Sequence, residues 1–273
     1  MGKSLIINCD DFGMCRSVNE ASVRAVTEGA ATSLSIMAPA PFFAEAVALA
    51  LRHGITHVGV HLCVTSEFSS LRWGGVSPGG EIPSLLDRTG CFLKTVRGFA
   101  ARARADEVLV ECERQIEAVL RTGLIPTHLD CHMFALHQKE TGRKDLKPVI
   151  RELCEKYRLP FRSPFPEESH YLARHGIPMV RHAPTTTYDF PAERKFSAYV
   201  EILKRLKPGV SELIVHPGID APDLRSLDAP RHDHSSRRIK DYELVCSGEL
   251  RATLRSEGVT LVAWQDVFRR ASS

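Results

Sequence analysis

Residues 4–13 read SLIINCDDFG, an apolar run that ends in two adjacent carboxylates, Asp10 and Asp11. Three later runs end alike. VGVHL (58–62) runs into His61, THLDCH (127–132) carries His128 and Asp130 and ends at His132, and ELIVH (212–216) ends at His216. Four separate β-like runs therefore place ionisable groups at or near their C-terminal ends. In parallel β/α barrels that edge is where active sites are built, and clusters of ionisable groups at strand ends usually mark sites.

The rest of the chain fits such a barrel. Short apolar runs at 4–9, 32–37, 58–64, 127–131, 161–163, 212–216 and 259–263 alternate with amphipathic stretches at 18–27, 43–52, 106–121, 147–157, 196–206 and 241–255. Such alternation predicts a mostly parallel sheet with helices outside it. No linker composition and no internal repeat divides the 273 residues, so a single domain over 1–273 is expected. Residues 66–92, rich in Gly and Pro, and the polar residues 221–240 read as long loops. In a barrel both would lie beside the site, and loops of that length are usually functional.

Composition narrows the classes of function. With 36 basic and 33 acidic residues the net charge is only +3, which gives no basic face for a nucleic-acid backbone. The local basic clusters Arg102/Arg104 and Arg237/Arg238/Lys240 read as solvated helix faces. The eight cysteines are scattered, with no C-x-x-C pair, which excludes zinc-ribbon and thioredoxin-like motifs and suits a reducing compartment. The apolar N-terminal run is too short for a signal peptide or a membrane span, so a cytoplasmic protein without a membrane partner is expected. Whether it forms a homo-oligomer is not legible. Asp11-Phe12-Gly13 spells the kinase D-F-G without a glycine-rich or H-R-D loop, and G-x-S-x-G and Walker A motifs are absent.

The chemistry of the polar residues points to a metal. Two adjacent carboxylates at one site repel, and a divalent cation relieves that repulsion while leaving one carboxylate free as a base. Neighbouring strand residues face opposite ways, so both can reach one site only where the strand breaks. Gly13, after Phe12, is the expected break. In 128–132, alternation puts His128, Asp130 and His132 on one face. Histidines plus a carboxylate with an open position suit a catalytic divalent ion, with zinc the first expectation. Spacing leaves open which histidine of this strand binds it.

Six stretches in order, IINCDDFGMCRSVNEA (6–21), GAATSLSIMAPAPFFAEAVALA (29–50), VGVHLCVTSEF (58–68), PTHLDCHM (126–133), ELIVHPGID (212–220) and EGVTLVAWQDV (257–267), resemble the YdjC-like family. That family is also described as the ChbG/HpnK carbohydrate deacetylases, within the polysaccharide deacetylase-like (NodB-like) group. The resemblance implies an α/β fold, a distorted barrel of about seven parallel strands with outer helices. It implies Asp11, His61 and His132 as ligands of one divalent metal, zinc or magnesium. It further implies Asp10 as base, His216 as acid and Arg162 as the arginine that orients the aspartate. The implied reaction is deacetylation of a small N-acetylated carbohydrate. Trp73, in the glycine-rich loop, and His128 are the expected substrate contacts. The chain departs from many members after His132, with HMFALH (132–137) where they carry further histidines, so the substrate is not transferable. Hydrolysis of another amide or a phosphate ester, or a non-catalytic carbohydrate-binding barrel, are the competing readings.

Overall fold

The computed structural model describes residues 2–230 and 232–268. Among these residues seven strands form one sheet: β1 (Lys3–Phe12), β2 (Ser33–Ile36), β3 (His57–Leu62), β4 (Ile125–Cys131), β5 (Thr185–Thr186), β6 (Gly209–Val215) and β7 (Val259–Leu261). Every residue of β1 from Leu5 to Phe12 is buried. A strand covered on both faces belongs at the centre of a parallel sheet, and β1 is there. The order is β4-β3-β2-β1-β6-β5, with every pairing parallel. One edge of β1 pairs with β6 from Lys3 to Cys9. The other is shared, by β7 over Lys3–Leu5 and by β2 from Asn8 onward. This is the expected α/β architecture, a distorted barrel with outer helices.

Six of the expected strands are present. The seventh, 161–163, is reduced to one bridge between Phe161 and Leu129. Pro160 and Pro164 flank it, and proline donates nothing to a ladder. The short β5 takes its place in the count. The helices Phe43–Arg52, Ala105–Arg121 and Leu146–Tyr157 fall where periodicity puts them. The expected helix 241–255 is instead two, His234–Cys246 and Gly248–Ser256. Ser247 is extended between them, and its hydroxyl accepts from the Leu250 amide, a serine N-cap that starts a new helix. Residues 66–92 form no regular element beyond a bridge between Leu86 and Phe92. Among the described residues no helix is long and apolar enough to cross a membrane.

Because the strands run parallel, Asp10 and Asp11, His61, Asp130 with His132, and His216 gather at one end of the sheet. Gly59 shows how tightly the sheet is filled beneath them. A Cβ there would lie 2.4 Å from His128 Cε1 and 2.6 Å from Ser35 Oγ. His128 is itself pinned, stacked on Trp264 with ring centroids 4.2 Å apart. Gly59→Ala is therefore expected to cost about 1–3 kcal/mol through overpacking, read as a lower urea midpoint at unchanged m-value. A wild-type midpoint would show that the ring can move aside.

Candidate active site

The strand breaks at the carboxylates themselves, earlier than the Gly13 expected from sequence. Asp11 has φ +67°, and the pairing of β1 with β2 slips register between Cys9 and Phe12. Aspartate tolerates this left-handed conformation better than most residues. It turns Asp11 so that its carboxylate joins that of Asp10 beside one cavity. Gly13, at φ +106°, continues the turn, and its amide donates to Asn19 Oδ1 at 2.7 Å.

Asp11, His61 and His132 are all buried and converge. Asp11 Oδ1 lies 3.3 Å from His61 Nε2 and 3.0 Å from His132 Nδ1, and ligand atoms of the three residues lie within 4.8 Å of one another. The outward nitrogens also meet carboxylates. His61 Nδ1 is 2.8 Å from Asp130 Oδ1, and His132 Nε2 is 3.0 Å from Glu67 Oε2. Burial alone would lower both histidines. Instead Asp130 and Asp10 raise His61 to about 9, and Glu67 and Asp11 raise His132 to about 10. The carboxylates around both rings thus favour positive charge at this position. With one carboxylate and two imidazoles converging, it is suited to one divalent metal ion.

Asp10 is held differently. Arg162, 2% exposed, forks onto it, with Nη1 2.7 Å from Oδ1 and Nη2 2.5 Å from Oδ2. The Asn8 amide donates to Oδ1 at 2.8 Å. Arg162 Nη2 also reaches Asp130 Oδ2 at 3.1 Å, and Nη1 lies 3.5 Å from Glu212 Oε1. Glu212 is buried, and that burial pushes its carboxyl up to about 8 against the pull of Arg162. Asp11 has its own cation. Burial would raise its carboxyl, but Arg238 Nη2, 2.5 Å from Oδ2, and then His132 hold it well below the usual range. Arg238 is thus buried, contrary to the solvated face expected for its cluster.

His216 follows β6 at the cavity wall, its ring centroid 4.6 Å from that of Tyr188. Its backbone amide donates to Asp241 Oδ2 at 3.1 Å, and Asp241 is fixed by Lys195 Nζ at 2.8 Å and Tyr199 OH at 2.9 Å. His216 Nδ1 has no hydrogen-bond partner among the described residues, and burial lowers the ring to about 4. The cavity, of about 330 Å³, is lined by Asp10, Asp11, His61, His132 and His216, with Met133, Phe134 and Tyr188 on its walls.

The two expected substrate contacts lie elsewhere. Trp73 is 3% exposed, and its indole N–H donates to Thr65 O at 2.9 Å. His128 is fully buried between Thr127, Ser35 and Trp264. Neither lines the cavity, so a direct contact from either to a substrate does not follow from this geometry. Both segments do reach it, 66–92 through Glu67 and 221–240 through His232, His234, Arg237 and Arg238, but the second is not the long loop expected: Pro222–Arg225 and His234 onward are helical. Asn8, Glu67, Glu212 and Arg238 join the site without any role expected from sequence, and Asp130, expected only on the polar face of its strand, holds His61. Asn8 and Glu212 were detectable as lone polar residues in otherwise apolar strands. Glu67 and Arg238 carried no such signal.

Comparison with known proteins comes to the same fold. Residues 4–256 match the family model described as YdjC-like protein. A carbohydrate deacetylase of Geobacillus stearothermophilus is 28% identical over 98% of this chain and 100% of its own length. One of Thermus thermophilus is 32% identical over 72% of this chain and 73% of its own. A solved Enterococcus faecalis structure, of a protein proposed to cleave cellobiose phosphate, superposes with a TM-score of 0.83 at 26% identity, covering 98% of this chain and 99% of the other.

Glu212 gives this network a signed pH dependence. Its folded value of about 8 lies above its ordinary 4.5, so the folded state holds this proton more tightly. The associated stability is present below pH 4.5 and is lost as pH rises to about 8. Urea unfolding across that window should show wild type declining relative to Glu212→Gln. Parallel curves would mean that Glu212 ionises normally in the fold.

Proposed function

Because this chain belongs to the YdjC-like family, we propose that it is a metal-dependent hydrolase that removes the acetyl group from an N-acetylated sugar or oligosaccharide, releasing acetate and a free amine. The observation that carries the reading is the convergence of Asp11, His61 and His132 beside a separately held Asp10, with His216 on the wall of the same cavity. A binding protein needs no such division of labour. The relatives described as carbohydrate deacetylases support the sugar amide as substrate.

Asp11, His61 and His132 would hold one divalent ion, zinc or magnesium. When bound, it supplies Lewis acidity that lowers the pKa of a water and polarises a carbonyl. Asp10 takes the proton of the attacking water. Its fork from Arg162 and its bond from Asn8 fix both oxygens, so it meets that proton without reorganising. His216 serves the departing nitrogen. Its ring rests neutral, so it takes a proton from solvent before handing it to the amine, and Asp10 returns the water's proton to solvent afterwards. Met133, Phe134 and Tyr188 offer apolar faces for the sugar ring. Eight free thiols support the reducing cytoplasm as the place of action.

Acetate release should be screened over N-acetylated mono- and oligosaccharides, with metal content measured on the same samples. Asp10→Asn is expected to keep its metal and lose about 10²–10⁴-fold in turnover, whereas His61→Ala loses metal and turnover together. A fully active Asp10→Asn would overturn the base assignment. Acetate from no substrate, with metal bound, would overturn the reaction but leave the metal site.

A further inference from the structure

We infer that Glu67 positions His132 for the metal, so that the two imidazoles present opposite ring nitrogens, Nε2 from His61 and Nδ1 from His132. The inference rests on the metal-site reading above. An imidazole binds a cation through a nitrogen lone pair, so its other nitrogen carries the hydrogen and is fixed by whatever accepts it. For His61 that acceptor is Asp130 Oδ1, 2.8 Å from Nδ1, which leaves Nε2 facing Asp11. For His132 the arrangement is reversed. Nε2 lies 3.1 and 3.0 Å from the two oxygens of Glu67, and Nδ1 faces Asp11 at 3.0 Å. Glu67 is across the ring from the converging ligand atoms and is not one of the three residues that group there.

The residue before Glu67 is anchored on both its backbone and its side chain. Ser66 N donates to Leu93 O at 3.1 Å, closing the base of the long loop, and Ser66 Oγ accepts from the Trp73 amide at 3.0 Å and Arg72 Nε at 3.2 Å. The Trp73 ring then packs edge-on against His132, centroids 5.9 Å apart. The irregular segment 66–92 thereby acquires a task. It clamps the second imidazole between a carboxylate and an indole.

The test uses Zn²⁺ alone as probe, with affinity measured by chelator competition on metal-free wild type, Glu67→Gln and Glu67→Ala. Nitrogen-15 spectra of the ring nitrogens are recorded on the zinc-loaded proteins. Glu67→Ala is expected to weaken zinc by about 10–100-fold. Glu67→Gln, which keeps shape and an acceptor but loses the charge, should weaken it less and guards against a folding defect. The wild-type spectrum should show His132 protonated at Nε2 and His61 at Nδ1, with only the His132 signals altered in the variants. Unchanged affinity in Glu67→Ala, or His132 protonated at Nδ1, would overturn the inference and leave the metal site intact. No zinc binding by wild type would overturn the metal reading itself.

Discussion

Two consecutive residues of a regular strand point to opposite faces, and this site needs both to face one cavity. The left-handed backbone at Asp11 meets that constraint, and much of the surrounding structure follows from it. The register with β2 slips there, and Asn19 ties down the turn that follows. Two carboxylates brought together in a buried place must then be neutralised separately. Arg162 takes Asp10 and Arg238 takes Asp11 Oδ2, which leaves Asp11 Oδ1 free to meet His61 and His132. Each aspartate thus has its own arginine, and the proposed division of roles rests on that.

Beneath the cavity, Arg162 is the cation among Asp10, Asp130 and Glu212. Burying ions costs desolvation that mutual attraction seldom fully offsets, so such a network argues for geometry more than for stability. Its members act in sequence. Arg162 fixes Asp10, Asp130 fixes His61, and Ser35 completes Asp130 with a hydrogen bond of 2.6 Å. Glu212 lessens the crowding by remaining largely protonated near neutral pH.

The sequence made the fold legible wherever one segment carried its own signal. Strands β1, β3, β4 and β6 announced themselves as apolar runs, and the ionisable residues at their ends gave the site its location. What stayed hidden depends on partners distant in the chain. β5 is two residues long and exists through pairing with β6. Arg238 looks like one member of a basic helix face, and only folding shows that it turns inward to a carboxylate 227 residues away. Glu67 sits in a stretch whose glycines and prolines mask any pattern. Trp73 misled for the complementary reason: an aromatic in a loop suggests a sugar platform, but this loop folds back and buries it behind His132. Asp130 was visible on the polar face of its strand, yet alternation alone could not tell a ligand from the group that orients one.

The shared edge of β1 bears on how the molecule assembles. The strand that supplies both aspartates pairs with residues 209–215 and 259–261, more than 190 positions along the chain. Of its three partners only β2 lies close to it in the chain. A fully buried central strand would meanwhile expose an unpaired, apolar edge, the kind of surface that recruits other chains. Contacts this distant in sequence slow folding, because the loop entropy is lost before the contacts repay it. The strand that carries both aspartates is therefore made well before two of the three strands it pairs with, and its edges are completed only when they arrive.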